Sequence, residues 1–147
     1  MVEYTADEKV LILGVPAAFT ETVIPTFFDH QAGLKQLGIY NVIVYTANDS
    51  AVVGIWNKQL VDAAADAGHP NSLVTFFGDP SGAFTKACGM ELDQTPRLTQ
   101  LGLFGRCKPF ALYVDHGVVR DVVMNDESDA ELSAPFLMQR IRAIQKQ

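Results

Sequence analysis

The residues best placed to do chemistry lie between Gly14 and Pro25, in the stretch Gly-Val-Pro-Ala-Ala-Phe-Thr-Glu-Thr-Val-Ile-Pro. An apolar run, Val10 to Leu13, precedes it, and Ile24, Phe27, Phe28, Leu34 and Leu37 follow at helical spacing. The junction is therefore a loop followed by a helix start, whose unpaired N–H groups and positive dipole end favour an anion or a thiolate. No thiol stands in it. The chain's two cysteines are Cys88 and Cys107, too far apart in sequence to form a disulfide framework or a zinc pattern. Cys88 shares a helical face with Phe84 and reads as a small buried apolar residue. Cys107 lies between Arg106 and Lys108, cations of the kind that lower a thiol pKa. No helical pattern buries that stretch, so Cys107 is expected to be the more reactive thiol, although paired cations are also ordinary on a solvated loop.

The remaining chemistry-bearing residues have plain readings. His30, His69 and His116 read as surface residues without metal-ligand spacing, and neither metal nor cofactor is implied. Trp56 on an apolar helix face reads as core or interface. The acidic run Asp126-Glu127-Ser128-Asp129 reads as a solvated linker. A net charge of −6 and the lack of a Lys/Arg stripe argue against a nucleic-acid partner. No apolar run is long enough for a membrane span or a signal peptide, and the cysteine usage suits a reducing, cytoplasmic compartment.

The elements that must position these residues alternate. Lys9 to Val15 reads as a strand buried on both faces. A helix is expected from Pro25 to about Leu37, ended by Gly38. Val42 to Thr46 is the next strand, with caps from Asn48-Asp49-Ser50. A helix follows, with Val52, Val53, Trp56, Leu60, Ala63, Ala64 and Ala67 on one face. Leu73 to Phe77 is a third strand, and Asp79-Pro80-Ser81-Gly82 turns into a short helix. From Gly89 to Lys108 the pattern is irregular and reads as loop, with at most one strand, near Leu101 to Phe104. Phe110 to Val114 and Val118 to Met124 flank Asp115-His116-Gly117 as a hairpin. Ser133-Ala134-Pro135 opens a last helix with Leu137, Met138, Ile141 and Ile144 inward. Strand-helix alternation ending in a hairpin and a helix predicts one α/β domain over residues 1–147, with a thioredoxin-like mixed sheet flanked by helices.

Pro16, Thr20 and Val23 fall in the spacing Pro-x-x-x-Thr-x-x-Cys that marks the active-site loop of peroxiredoxins. The likeness is to the type II, or type 5, branch. It continues through Val15 to Thr20, Asn48-Asp49, Trp56, Gly78 to Phe84 and Phe110-Ala111-Leu112, so the chain resembles the family over roughly residues 5 to 145. The resemblance implies a peroxide-reducing pocket lined by Pro16, Thr20, Val23 and Pro109, and a homodimer formed through the surrounding loops.

Thr20 is retained and can still hydrogen-bond in the loop, but the other two groups that such a pocket requires are missing. Valine stands at the position of the peroxidatic cysteine and can neither ionise nor attack. Proline stands at position 109, where the resemblance implies the active-site arginine, and it removes a backbone N–H as well. Neither Val44 nor Glu131, the two places implied for a resolving cysteine, is a thiol. Only Ile24 separates Val23 from the helix proline, which shortens the first turn. The expected function is a binding or regulatory module without peroxidase activity, pairing with itself or with an active peroxiredoxin through groups such as Phe19, Trp56, Leu103 and Phe104. The alternative is a thiol peroxidase or redox sensor that uses Cys107 or Cys88.

Overall fold

A computed structural model describes residues 7–19, 22–124 and 132–147. Thr20, the run Asp126 to Asp129, and Glu131 lie outside the described residues. The elements are β1 (Lys9–Gly14), α1 (Ile24–Asp29), α2 (Gln31–Gln36), β2 (Ile39–Thr46), α3 (Ser50–Asp66), β3 (Val74–Gly78), α4 (Ala83–Cys88), α5 (Pro96–Gln100), β4 (Phe110–Asp115), β5 (Val118–Met124) and α6 (Ala134–Gln145). The sheet order is β3-β2-β1-β4-β5. β1, β2 and β3 run parallel, and β4 lies antiparallel to both β1 and β5.

β1 is central because Val10, Leu11, Ile12 and Leu13 are apolar on both faces and are covered on both. Leu11, Leu13 and Val15 join Phe27, Phe28, Leu34, Trp56, Leu137 and Ile141 in one buried cluster. Val10 and Ile12 join Tyr45, Cys107, Phe110 and Leu112 in a second one. Both crossovers, β1 to β2 and β2 to β3, step the same way along the sheet, so their helices share one face. At the end of β1, Gly14 is opposite Phe110, and a Cβ added to Gly14 would sit 2.0 Å from the Phe110 ring. The ring thus takes the space of a missing side chain and seals the strand end.

The long helix expected from Pro25 to Leu37 is divided at His30, where the backbone takes φ −111° and ψ 20°. The His30 ring Nδ1 hydrogen-bonds with the Thr26 carbonyl at 2.8 Å, and the His30 backbone N–H donates to the same oxygen at 3.1 Å. A side chain competing for a ladder acceptor bends the helix there. Gly38 ends the second piece with φ +83°, as expected.

A second correction lies between Gly89 and Lys108. Leu101 to Phe104 is not a strand. Thr95 caps α5 through a bond from Leu98 N–H at 3.2 Å, and Pro96 occupies its first turn. Thr-Pro was a legible start signal for a helix too short to show periodicity. In α3, Val53, Trp56 and Ala64 are buried, but Ala63 and Ala67 are exposed. Those two alanines border a small groove of about 130 Å³ facing Pro25 and Phe28.

The hairpin and last helix agree with expectation. His116 and Gly117 both take positive φ, 50° and 79°, as a two-residue turn between right-twisted strands requires. Arg140 of α6 then clamps β5, donating to both carboxylate oxygens of Asp121 at 2.6 and 2.7 Å. That guanidinium holds the Asp121 carboxyl below the usual carboxylate range, with its hydrogen bond the largest cause.

Candidate functional site

The C-terminal ends of β1, β2 and β3 bring together the loops after each strand, the region where parallel α/β sheets place their ligand sites. The amide oxygen of Asn48 is the common acceptor. It receives Ala18 N–H at 2.8 Å, Thr46 Oγ1 at 3.1 Å and Arg106 Nη1 at 3.1 Å. Arg106 Nη1 also approaches the Pro16 carbonyl at 3.4 Å. Three segments far apart in sequence, at residues 16–18, 46–48 and 106, are thereby tied together. Of the three cap candidates Asn48, Asp49 and Ser50, Asp49 caps α3, accepting Val52 N–H at 3.0 Å.

A second fastening centres on Asp79. Its Oδ2 accepts Tyr45 OH at 3.1 Å, Phe84 N–H at 3.2 Å, Thr85 N–H at 3.3 Å and Thr85 Oγ1 at 3.5 Å. Asp79 N–H donates to the Thr46 carbonyl at 2.7 Å, so the turn is locked to β2 as well. Burial pushes the Tyr45 hydroxyl far above its ordinary pKa, with Cys107 and Asp79 adding to the effect. The hydroxyl therefore remains a donor. Gly78 permits the approach of the two loops, because a Cβ there would meet the Asn48 carbonyl at 2.6 Å.

Val23 begins α1 from helical angles, φ −82° and ψ −21°, without a side-chain cap. Its carbonyl accepts Thr26 N–H at 3.0 Å and Thr26 Oγ1 at 2.6 Å. Its own side chain is 7% exposed and belongs to the buried cluster that contains Val15, Ala18 and Phe27. Pro16 and Pro109 are half-buried. Phe19 takes φ +67°, a strained angle for a bulky residue, and its ring leans on Trp56 at 6.1 Å between centroids.

Cys107 takes the buried place expected of Cys88, while Cys88 is only half-buried and packs with Phe84 against the second cluster. Cys107 has 0% exposure, and its thiol donates to the Val15 carbonyl at 3.2 Å. The reason is a short antiparallel pairing. Leu92 N–H reaches the Arg106 carbonyl at 2.9 Å, Lys108 N–H reaches the Met90 carbonyl at 2.8 Å, and Glu91 bridges to Cys107. Alternation along that segment turns Cys107 toward the core and the flanking Arg106 and Lys108 the other way, so the cations next to it in sequence do not surround it in space. Cys88 is the half-exposed thiol. Burial and then the Asp79 charge push its pKa up, so it is accessible but weakly nucleophilic.

Brief iodoacetamide labelling of native protein is accordingly expected to modify Cys88 first, with a rate that still climbs above pH 9, about the free-thiol range. Peptide mass spectrometry reads both sites. Faster labelling of Cys107 would mean that the 90–92 and 106–108 pairing opens readily in solution.

His69 stands 3.7 Å from Asp29, His116 contacts Asp115, and no cluster of three metal-ligating side chains occurs among the described residues. A larger cavity, about 700 Å³, is bordered by Lys9, Asp115 and Arg120 at the opposite end of β1 and takes in none of the loop residues above.

The model of the redoxin family matches residues 2–134. The chain belongs to the redoxin family. This redoxin is 33% identical to peroxiredoxin-2C of Arabidopsis thaliana over 143 residues, which is 95% of this chain and 80% of that one. It is 31% identical to the peroxisomal membrane associated protein 20 of Schizosaccharomyces pombe over 138 residues, 91% of this chain and 82% of that one. Reduced Prx3 of Vibrio vulnificus in complex with hydrogen peroxide superposes with a TM-score of 0.76 at 23% identity, over 97% of this chain and 83% of that one. At that identity the superposition speaks for the fold alone, and it agrees with the thioredoxin-like architecture read from the strand order. Three of the segments that carry the resemblance, Pro16 to Ala18, Asn48 and Gly78-Asp79, meet at the strand ends.

Proposed function

We propose that this redoxin keeps the family's fold without its peroxidase chemistry, and acts in redox homeostasis as a binding or regulatory module. The observation that supports this most is Val23. At the helix start, where the family pattern has its nucleophile, an aliphatic side chain is packed into the core. Pro109 in place of the arginine points the same way, since it offers no charge to polarise an O–O bond. The vestigial pocket would be formed by Pro16, Thr20, Val23 and Pro109. Peroxide consumption with a thiol reductant, followed by stopped flow, is expected to match the protein-free rate for wild type, Cys88→Ser and Cys107→Ser alike. Consumption that Cys88→Ser abolishes would instead establish the thiol-enzyme alternative, whose more accessible candidate is the half-exposed Cys88 rather than the buried Cys107.

The partner in this proposal is a second copy or an active peroxiredoxin. Phe19 and Phe104, 50% and 60% exposed, sit on the loops that Asn48 ties together, and exposed aromatics of this kind suit an interface core. Trp56 is 3% exposed and supports Phe19 from below instead of contacting a partner itself. Sedimentation velocity is expected to show a dimer that Phe104→Ala shifts toward monomer. A monomer at every concentration, unchanged on mixing with an active peroxiredoxin, would remove this part of the proposal. The proposed compartment is the cytoplasm; no helix among the described residues is long and apolar enough to cross a membrane.

A further inference from the structure

Beside the Asn48 cluster a separate cleft of about 280 Å³ opens, with Ser81, Gly82 and Lys86 on one wall and Glu91, Gln94 and Arg106 on the other. Its volume lies just under the range of small-molecule sites, about 300–1,000 Å³. Its charge is unusual for a chain of net charge −6. Two cations face it against one carboxylate, and neither Lys86 nor Arg106 forms an ion pair among the described residues.

Arg106 in particular is short of acceptors. Its acceptors among the described residues, the Pro16 carbonyl and the Asn48 amide oxygen, are both neutral, and both are met through Nη1. Its Nε is buried with no acceptor. A half-buried guanidinium held by carbonyls alone keeps its full charge, and the low-dielectric wall behind it strengthens its field in the cleft. Backbone donors do not explain the attraction, because the Phe84 and Thr85 N–H groups already point to Asp79. The Gln94 amide nitrogen is also committed, to Thr99 Oγ1 and the Leu103 carbonyl, both at 3.1 Å. The side chains of Lys86 and Arg106 must therefore do the binding, with Glu91 opposing them.

We propose that this cleft binds a small polyvalent anion, a phosphate or a compact polycarboxylate, between Arg106 and Lys86. Because Arg106 also holds the Pro16 carbonyl and Asn48, occupancy would be felt at the Ala18 N–H across the strand ends. The test is a ¹H–¹⁵N titration of the full chain with inorganic phosphate and, separately, with citrate, each at ionic strength held constant with sodium chloride. Saturable shifts are expected at residues 81–86, 105 and 106 and at Ala18; saturation by one probe alone identifies its chemistry as the preferred one. Lys86 and Glu91 are exposed, so their replacement is expected to leave the fold intact. Lys86→Gln should weaken binding and Glu91→Gln should tighten it, each about two- to five-fold, the scale of exposed charge pairs. Non-saturating shifts that chloride reproduces, or identical affinity in both variants, would reduce the cleft to a diffuse counter-ion region and overturn the proposal.

Discussion

Val23→Cys by itself is expected to leave peroxide turnover about 10²- to 10³-fold below that of a complete thiol peroxidase, the usual loss when one transition-state donor is absent. The new thiol would inherit a position 7% exposed in the core, next to a helix that starts immediately at Ile24. Peroxide must reach that sulfur, and a buried apolar setting also raises a thiol pKa. Pro109 supplies nothing to stabilise the leaving oxygen. Stopped-flow peroxide consumption is the measurement. Arg106 is the residue to watch, since its Nη1 already lies 3.4 Å from the Pro16 carbonyl. Near-family turnover by the single variant would mean that this guanidinium replaces the missing one, and Val23→Cys combined with Arg106→Gln would then lose the activity.

Asp79→Ala carries the largest expected effect on stability. The carboxylate accepts both N–H groups at the start of α4 and the hydroxyl of a tyrosine with 0% exposure. Loss of a helix cap costs about 1 kcal/mol. A buried hydroxyl left without an acceptor costs about 1–3 kcal/mol more. A total of about 2–4 kcal/mol corresponds, for a chain of this length, to a fall in Tm of roughly 6–12 °C. Asp79→Asn retains an acceptor oxygen and is expected to lose less than half as much. Thermal unfolding followed by circular dichroism compares the three proteins. A Tm for Asp79→Ala within about 2 °C of wild type would show that water takes over the carboxylate's bonds, so that Asp79 does not fasten the turn to β2.

The expected chemistry of the cysteines illustrates a limit of linear reading. Arg106 and Lys108 flank Cys107 in the chain, and adjacency in sequence was read as adjacency in space. In an extended segment successive side chains point to opposite sides, so the nearest neighbours in sequence are the groups kept away from the thiol. Nothing in residues 106–108 reveals that they pair with residues 90–92, since the partner is many residues away and neither segment is long enough to show a period. The same limit hid α5, whose five residues are too few for periodicity, and the bend at His30, which depends on a ring nitrogen finding the Thr26 carbonyl.

Periodicity and turn chemistry by themselves determined the five strands of the sheet, the central position of β1 and the hairpin at Asp115 to Gly117. These depend on local preferences and on which face of each element is apolar, and both are written in consecutive residues. The spacing from Pro16 to Val23 is likewise legible in consecutive residues. Only the tertiary structure decided that Asn48 joins the Ala18 loop to Arg106, that Asp79 secures Tyr45 to α4, and that Cys107 is buried while Cys88 is half-exposed. Each of those depends on long-range hydrogen bonds or on burial by residues elsewhere in the chain, and a side chain's partner across the sheet leaves no mark on its neighbours in sequence.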